Sequence, residues 1–213
     1  MKLLLLADIH CQQDHLNNLP SADVMIVAGD FCSYGNSKEA ARFLQWYEKQ
    51  PSPFKLLIAG NHDRCFEYPE KRASLLSKAP SIIYLQDQEI VIDGVKFYGS
   101  PWQPEFYNWA FNLPRGEPLR KKWRSIPDDC DVLITHGPPA GIADKNLDGI
   151  NCGCEDLLDR IIQVKPQVHV YGHIHLGYGI NYQSIPPTTF INCSICTEDY
   201  RPDNPPVEFE IFK

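Results

Sequence analysis

The chain has 213 residues, 43% of them hydrophobic, and its 27 acidic and 20 basic residues give a formal net charge of −7. This length can bury one sizeable core and no Pro/Ser/Gly-rich linker divides it, so we expect a single domain over residues 1–213. The acidic balance, without a basic stripe, excludes duplex nucleic acid as a partner, and the lack of a long apolar run predicts a cytoplasmic protein with no membrane partner.

Five apolar runs are typical of buried strands, and each run ends in a loop that carries polar residues. The predicted strands are Leu3–Leu6, Val24–Ala28, Leu56–Ala59, Val132–Ile134 and Val168–Tyr171. After the second run, apolar residues recur at helical spacing. They predict a helix that is capped by Asn36 or Ser37 and ends before Pro51, as the crossover of a βαβ unit. Further helices are predicted at Pro69–Ser77 and Glu155–Val164.

From Ser81 onward the pattern is that of strands, and we expect a second sheet to begin there. A strand at Ile82–Leu85 precedes a predicted hairpin of Glu89–Ile92 and Val95–Tyr98, whose Asp-Gly turn is typical of type I′. The remaining strands are expected to complete the second sheet. They are predicted near Gly177–Tyr182, Thr188–Asn192 and Val207–Phe212.

The segment from Ser100 to Ile126 combines four prolines with several aromatic residues. This density of prolines predicts an ordered loop without regular structure, lying over the site, since long loops in compact domains are usually functional. Its aromatic side chains either form a small core of the loop or stack on a nucleobase. Arg64, which lies before this segment, and Arg115 within it either pair with a phosphate or lie on the surface. The candidate substrate-binding residues are therefore Arg64, Trp102, Phe106, Tyr107 and Arg115.

The cysteines are expected to be reduced thiols, because several lie singly in a chain that needs no disulfide to fold. Two pairs, Cys152 with Cys154 and Cys193 with Cys196, could together form a four-thiolate zinc site. The first pair has CxC rather than CxxC spacing, which favours small buried side chains instead.

The loops after the five predicted strands hold carboxylate, amide and imidazole donors. Because the carboxyl ends of neighbouring parallel strands meet at one edge of a sheet, these donors should form one site. Oxygen and nitrogen donors without a thiolate suit two borderline or hard divalent ions, and Asp30, in the middle of the set, is the natural bridge. Outside this set, His15 is expected to be solvated and His169 to be a core residue. The candidate metal ligands are Asp8, His10, Asp30, Asn61, His136, His173 and His175.

The motifs DIH, GD, GNHD, THG and GHIH, in this order between residues 8 and 175, resemble the signature of the calcineurin-like metallophosphoesterase superfamily. The resemblance implies an α/β fold of the four-layer α+β type, in which two packed mixed β-sheets are flanked by helices. YGSPWQP at 98–104 and THGPP at 135–139 are similar to the MPPED-type metallophosphodiesterases. Some members of that group have glycine at the position of His173. The histidine is present here, which implies a full two-metal site. The implied ligands are Asp8, His10, Asp30 and His175 for one ion, and Asp30, Asn61, His136 and His173 for the other.

The resemblance implies a metal-dependent phosphodiesterase, with small or cyclic nucleotides (2′,3′- or 3′,5′-cyclic) as substrates. A hydroxide held between the ions would attack phosphorus, His62 would assist the leaving group, and Asp63 would orient His62. Mn²⁺ is expected in vitro, and Fe, Zn²⁺ and Mg²⁺ accept the same ligands. The same centre could hydrolyse phosphomonoesters or phosphoproteins, and the non-enzymatic alternative is a nucleotide-binding sensor with negligible turnover. The sequence leaves the metal pair and the oligomeric state open.

Overall fold

The computed structural model describes residues 1–183 and 186–212. Its α-helices are α1 Ser37–Glu48, α2 Pro69–Leu76, α3 Glu117–Trp123 and α4 Glu155–Val164. Its strands are β1 Lys2–Leu6, β2 Val24–Ala28, β3 Phe54–Ile58, β4 Ile82–Tyr84, β5 Gln88–Ile92, β6 Val95–Ser100, β7 Gln103–Pro104, β8 Asn112–Leu113, β9 Val132–Thr135, β10 Val168–Tyr171, β11 Gly179–Tyr182, β12 Thr189–Asn192 and β13 Val207–Glu210. Each of the five predicted apolar runs is therefore a strand.

Two large mixed sheets are built from these strands. The first has the order β13-β1-β2-β3-β4 and the second has the order β11-β12-β10-β9-β6-β5. The inner strands of each sheet run parallel, and the antiparallel strands β13, β11 and β5 lie at the edges. The parallel strands therefore bring the carboxyl ends of β1, β2, β3, β9 and β10 to the same side of the molecule.

The core lies in three layers of apolar contacts, and β1 illustrates how one strand serves two of them. Leu3 and Leu5 face the space between the sheets, where they belong to one cluster with Phe97 and Val132 of the second sheet. The intervening Leu4 faces the helices α1 and α2. This alternation follows from the two-residue period of a strand. The predicted arrangement of two packed sheets flanked by helices is confirmed.

The helix α1 also shapes the loop that follows β2. Asn36 is its N-cap, since its side-chain oxygen accepts the amides of Lys38 and Glu39 at 3.0 and 3.1 Å. The Glu39 carboxylate in turn accepts the amides of residues 33–35 at distances of 2.8 to 3.1 Å. The predicted cap is confirmed, and it fixes the backbone between β2 and α1.

The prediction that Ser100–Ile126 lacks regular structure is wrong. This segment contains the short paired strands β7 and β8 and the helix α3, whose Leu119 and Trp123 are buried. Pro118 lies in the first turn of α3, where a backbone amide has no partner within the helix and its absence costs little. A high proline content therefore did not indicate irregular structure here, because one proline begins a helix.

Two strands that were predicted for the second sheet belong to the first. β4 pairs in parallel with β3, and β13 pairs antiparallel with β1, so the second sheet begins with the hairpin β5–β6. β13 buries Val207 and exposes Glu208 and Glu210, as expected of an edge strand that closes an apolar neighbour. The hairpin turn has positive φ at Asp93 (47°) and Gly94 (82°), as a type I′ turn requires.

All eight cysteines are free thiols. Cys154 lies in the core of the second sheet, where its sulfur accepts a hydrogen bond from Trp123 Nε1 at 3.3 Å. The groups of potential metal ligands in the described ranges contain no cysteine, so the four-thiolate alternative finds no support.

In these same ranges, no helix is both long and apolar enough to cross a membrane.

Candidate metal centre

The predicted metal ligands lie together at the carboxyl ends of the strands, in the loops after β1, β2, β3, β9 and β10. Six of them, with His62, form overlapping groups whose potential ligand atoms lie within 4.8 Å of one another. The seventh, Asn61, contacts one of these groups through its amide oxygen. The groups are Asp8, His10 and His175; His10, Asp30 and His62; and Asp30, His136 and His173.

The imidazoles of His10 and His175 are held with bare nitrogens facing each other. His10 Nδ1 lies 3.1 Å from the carbonyl oxygen of Cys32, and His175 Nδ1 lies 3.0 Å from that of Thr197. A carbonyl can only accept, so each neutral ring carries its proton on Nδ1 and a lone pair on Nε2. The two Nε2 atoms are 3.3 Å apart. Two lone pairs at this distance repel unless a cation or a proton lies beside them.

Asp8 presents one oxygen that has no compensating donor. Its Oδ2 accepts hydrogen bonds from the Ser194 hydroxyl at 2.5 Å and from the His173 amide at 2.8 Å. Its Oδ1 is buried, has no hydrogen-bond partner among the described residues, and lies 3.6 Å from His175 Nε2. A buried carboxylate oxygen left unpaired costs free energy that a bound cation would recover.

The third group, which contains Asp30 and His173, repeats this arrangement around His136. Its Nδ1 lies 2.9 Å from the carbonyl oxygen of Ala28, which leaves a lone pair on Nε2. That nitrogen is 3.0 Å from Asn61 Oδ1 and 3.2 Å from Asp30 Oδ2, and both oxygens are acceptors. The same Asp30 oxygen is 4.0 Å from His10 Nε2. Asp30 therefore lies between the group of Asp8, His10 and His175 and the group that contains His136.

Burial and the neighbouring carboxylates shift the pKa values of the imidazoles in opposite directions. Burial alone would lower the pKa of His136, but the Asp30 carboxylate reverses this effect and raises it to about 9. For His175, a nearby carboxylate likewise overcomes burial and raises the pKa to about 9. Burial lowers the pKa of His10 to about 4 and that of His173 to about 3. The carboxylates thus favour a positive charge at His136 and His175, and imidazole and carboxylate donors suit divalent cations.

The backbone at the site adopts conformations that are unusual for its residue types. Four candidate ligands have φ in the left-handed region, which L-residues other than glycine rarely adopt and which is found at functional sites. Neighbouring glycines leave the ligands room: a Cβ at Gly60 would lie 2.3 Å from Asp30 Oδ1, and one at Gly172 would lie 2.2 Å from Asp8 Oδ2. The four ligands are Asp8 (φ 50°), His10 (45°), Asp30 (53°) and His173 (68°).

Asp63 connects two ligand-bearing loops. Its carboxylate accepts the backbone amides of Asp30 and Cys32, both at 2.9 Å, and that of Gly60 at 2.7 Å. The side chain is completely buried. The prediction that Asp63 orients His62 is therefore wrong, because both of its oxygens hold the loops after β2 and β3 together.

His62 is held by a backbone group instead. Its Nδ1 lies 2.6 Å from the carbonyl oxygen of Ser33, and its amide donates to Asp30 Oδ1 at 2.7 Å. The ring lies 4.7 Å from that of His10 and 4.1 Å from that of Trp109. The half-buried imidazole is thus fixed beside the candidate ligands. A backbone carbonyl leaves no trace in the sequence, so Ser33 could not have been foreseen.

The aromatic candidates for substrate binding divide into two sets. Phe106 lies 5.1 Å from the His173 ring, and together with Tyr107 it lines a cavity of about 550 Å³ that reaches His173. Trp102 instead donates to Asp87 at 2.9 Å and packs against the core clusters. Phe106 and Tyr107 therefore lie next to the candidate metal centre, whereas Trp102 has a structural role.

The two candidate arginines already have partners. Arg115 lines the same cavity, but its guanidinium binds the Glu155 carboxylate at 2.5 Å and the carbonyl oxygen of Gly153 at 2.7 Å. Arg64 donates to the carbonyl oxygen of Asn108 at 2.6 Å. Both guanidinium groups are thus held by residues outside the candidate ligand set.

Two residues near the C-terminus reach the site and were missed by the sequence reasoning. Ser194 donates to Asp8, as described above, and the end of the strand β12 just before it was the available signal. Tyr200 packs its ring 4.8 Å from His10 and 5.6 Å from His175. No strand end or motif marked Tyr200.

The histidines outside the set behave as predicted. His15 is exposed. His169 is completely buried within β10, and its Nε2 lies 2.7 Å from the Thr135 hydroxyl. That hydroxyl donates to the carbonyl oxygen of Gly137 at 2.8 Å, so it accepts the hydrogen bond from His169. His169 is therefore a core residue with its proton on Nε2.

Comparison with known proteins places this geometry in a family. Residues 1–177 match the family described as calcineurin-like phosphoesterase. The chain is 39% identical over 235 residues to human Metallophosphoesterase domain-containing protein 1, with 99% of this chain and 71% of that protein aligned. It is also 39% identical to UPF0046 protein T07D4.2 of Caenorhabditis elegans, over 95% of this chain and 58% of that protein.

A solved structure shares the fold at low sequence identity. TT1561 of Thermus thermophilus superposes with a TM-score of 0.63 and 14% identity, over 90% of this chain and 88% of that one. This likeness concerns the fold alone, whereas the family match and the human relative extend to the sequence. On that evidence, the chain belongs to the calcineurin-like phosphoesterase family.

Proposed function

We propose that the protein hydrolyses small phosphodiesters, cyclic nucleotides among them, at a centre of two divalent ions. The observation that carries the proposal is the pair of facing Nε2 atoms of His10 and His175, 3.3 Å apart, with both Nδ1 atoms held by carbonyls. Such a pair is stable only around a positive charge. When bound, two such ions supply Lewis-acid activation of water and neutralise phosphate charge, and Mn²⁺ is the ion of choice in vitro.

The proposed ligand sets are built on the group of Asp8, His10 and His175 and on the group of Asp30, His136 and His173, with Asp30 shared by both sets. Asp30 Oδ2 lies within 4.0 Å of both His10 Nε2 and His136 Nε2, which supports this bridging position. Asn61 contributes a neutral oxygen to the second set and adds no negative charge. The first set is Asp8, His10, Asp30 and His175; the second is Asp30, Asn61, His136 and His173.

His62 is the proposed proton donor to the leaving oxygen. With Nδ1 held by Ser33, the opposite nitrogen of its ring is the one available to a substrate. General acid catalysis requires a proton within hydrogen-bond reach of the leaving group, and His62 lies in one group with His10 and Asp30. The Ser33 carbonyl accepts the hydrogen bond from Nδ1 and thereby fixes the orientation of the ring.

The cavity beside His173 supports a small diester as the substrate. A volume of about 550 Å³ lies in the range of small-molecule sites. Phe106 and Tyr107 present apolar surface, Glu105 and Glu198 present carboxylates, and the charge of Arg115 is already paired. Such a lining accepts an uncharged organic ester group and repels a second phosphate. A nucleoside fits this description better than a polynucleotide or a polyphosphate.

A substrate panel tests the proposal. Protein loaded with Mn²⁺ should hydrolyse bis-p-nitrophenyl phosphate and cyclic nucleotides faster than p-nitrophenyl phosphate. Faster hydrolysis of the monoester would replace the proposal with a phosphomonoesterase. Tight binding of nucleoside monophosphates without turnover of any ester would replace it with a sensor.

The role of His62 has a matched control in the chain. His62→Gln should lower kcat for the diester by about 10² to 10⁴-fold while the metal content stays that of the wild type. His15→Gln changes an exposed histidine away from the site and should leave kcat unchanged. Equal kcat values for both variants would remove His62 from the mechanism.

A further inference from the structure

The segment of residues 197–203, here called the C-terminal turn, lies outside residues 1–177 that match the family, yet it contacts the site. It is closed by its own hydrogen bonds, with the Tyr200 amide donating to the carbonyl oxygen of Thr197 and the Thr197 amide to that of Arg201, both at 2.8 Å. Thr197 also accepts from His175 Nδ1 at 3.0 Å. Glu198 accepts the Leu176 amide at 2.9 Å. The turn is therefore attached to the loop that carries His173 and His175.

Tyr200 projects from this turn over three histidines of the site. Its ring centroid lies 4.8 Å from that of His10, 5.6 Å from that of His175 and 6.4 Å from that of His62. The interplanar angles of 64° to 83° are those of edge-to-face packing, a favourable geometry for aromatic pairs. The side chain thus spans the first candidate ligand set and the proposed proton donor.

The backbone of Tyr200 is held in a rarely populated conformation. Its φ of 58° lies in the left-handed region, which a bulky L-residue rarely adopts. Gln12 donates to its carbonyl oxygen at 3.4 Å, and the turn described above holds its amide. Strained residues of this kind persist where the surroundings impose them, and they occur mainly at functional sites.

The hydroxyl of Tyr200 is available to a ligand. The structure gives this hydroxyl no hydrogen-bond partner among the residues that it describes, and about half of the residue is exposed (49%). By contrast, the hydroxyl of Tyr178 donates to the carbonyl oxygen of Pro205 at 2.8 Å. A phenol hydroxyl is a hydrogen-bond donor at neutral pH. The Tyr200 ring lies 4.8 Å from that of His10 and 6.4 Å from that of His62, so a group bound beside both histidines lies near the Tyr200 side chain.

We propose that Tyr200 is a substrate-contacting residue, whose hydroxyl donates a hydrogen bond to a non-bridging oxygen of the phosphate bound at the metal centre. This inference rests on the proposed function. In this arrangement the ring packs against His10 and His175, and the C-terminal turn completes the phosphate site from outside the family-matching part of the chain.

The test compares Tyr200→Phe with Tyr182→Phe. The first substitution removes only the hydroxyl and keeps the ring contacts, while the second removes the hydroxyl of a tyrosine that is 74% exposed on the edge strand β11. Binding of inorganic phosphate to Mn²⁺-loaded protein is measured by calorimetry, with metal content and melting temperature determined on the same samples. Tyr200→Phe should weaken phosphate binding about tenfold, the loss of one hydrogen bond to a charged oxygen. Its metal content and melting temperature should stay those of the wild type.

The outcomes separate this inference from the proposed function. Wild-type phosphate affinity in Tyr200→Phe, or the same loss in Tyr182→Phe, would overturn the role of Tyr200, and so would a loss of metal from Tyr200→Phe. If the wild type then still hydrolyses bis-p-nitrophenyl phosphate, the proposed function stands alone. Weakened phosphate binding in Tyr200→Phe, together with a wild type inert towards that diester, would support the contact and contradict the proposed function.

Discussion

The carboxyl end of β9 and the interior of β10 hold two equally buried histidines in opposite surroundings. His136, at the end of β9, has one ring nitrogen on a carbonyl and the other against the oxygens of Asn61 and Asp30. His169, within β10, has one nitrogen on a hydroxyl, and its Nδ1 has no hydrogen-bond partner among the described residues. The rings around His169 belong to Tyr171 and Phe190, at 4.9 and 5.8 Å.

This contrast shows that burial alone does not distinguish a metal ligand from a core residue. Burial lowers the pKa of His169 to about 3, whereas the Asp30 carboxylate overcomes the same effect and raises the pKa of His136 to about 9. The acceptors that face the second nitrogen make the difference. His169 is stable as a neutral ring, whereas the oxygens that face His136 favour a positive charge at its second nitrogen.

The largest effect is expected when the shared acceptor is removed. Asp30→Asn keeps the size of the side chain and suits the left-handed backbone of residue 30, which asparagine tolerates. We expect diester hydrolysis to fall on the order of 10³-fold, with loss of bound metal, because a neutral amide cannot bridge two cations. Steady-state kinetics and elemental analysis measure both quantities.

The control for this variant is Asp128→Asn, since the Asp128 side chain is 89% exposed. It should keep wild-type turnover and metal content. Retention of the wild-type metal content in Asp30→Asn would remove the distinction between the two histidine environments.

A smaller effect is expected when a methyl group at residue 60 is placed against Asp30 and His136. A Cβ at Gly60 would lie 2.3 Å from Asp30 Oδ1 and 2.7 Å from His136 Cε1, so Gly60→Ala must displace one of them. We expect metal affinity to fall roughly 10 to 100-fold, the range seen when groups that orient ligands are disturbed. Competition with a chelator measures the affinity.

Gly137→Ala is the matched control, because its Cβ would meet only Gln103, at 3.4 Å or more. Gly137 lies next to His136, so the comparison isolates the crowding from the position in the chain. If Gly137→Ala lost as much affinity as Gly60→Ala, the close approach at Gly60 would not be the cause.

The interior histidine should appear in the acid stability of the protein. Because the folded pKa of His169 is lowered to about 3, its contribution is fully present above the ordinary pKa near 6.5 and is lost as the pH falls below it. Between pH 6.5 and 5 the wild type should lose on the order of 1 to 2 kcal/mol relative to His169→Phe, which cannot take up this proton. Denaturant unfolding of both proteins at each pH measures the difference, and a constant difference across this range would contradict the assignment.

The smallest effect is expected for metal binding by His169→Phe. Phenylalanine keeps a ring in the core, and the Thr135 hydroxyl keeps its bond to Gly137. Metal affinity and diester turnover should therefore stay within about threefold of the wild type, since mutations away from the site leave it undisturbed. A loss of metal as large as that in Asp30→Asn would show that the interior of β10 is coupled to the candidate metal centre.

The sequence predicted the components of the site better than their contacts. Apolar runs identify strands, and parallel strands bring their ends together, so Asp8, His10 and His136 could be assigned to one region. The direction of each lone pair could not be predicted, because it depends on backbone carbonyls such as those of Cys32 and Ala28. The facing nitrogens became visible only in three dimensions.

The errors have local physical reasons. Asp63 follows His62 in sequence, but a buried carboxylate takes the nearest free amides, and these belong to the loops after β2 and β3. The proline-rich segment contains α3 because Pro118 lies in its first turn. β13 belongs to the first sheet because it pairs antiparallel with β1 along the outer edge of that strand. Tyr200 reaches the site through a turn whose position depends on contacts with His175.

The most direct test of two cations sharing Asp30 is anomalous diffraction from crystals soaked in Mn²⁺. We expect two peaks on opposite sides of the Asp30 carboxylate, one beside His10 and His175 and the other beside Asn61 and His136. A single peak, or two peaks of which neither contacts Asp30, would contradict the account.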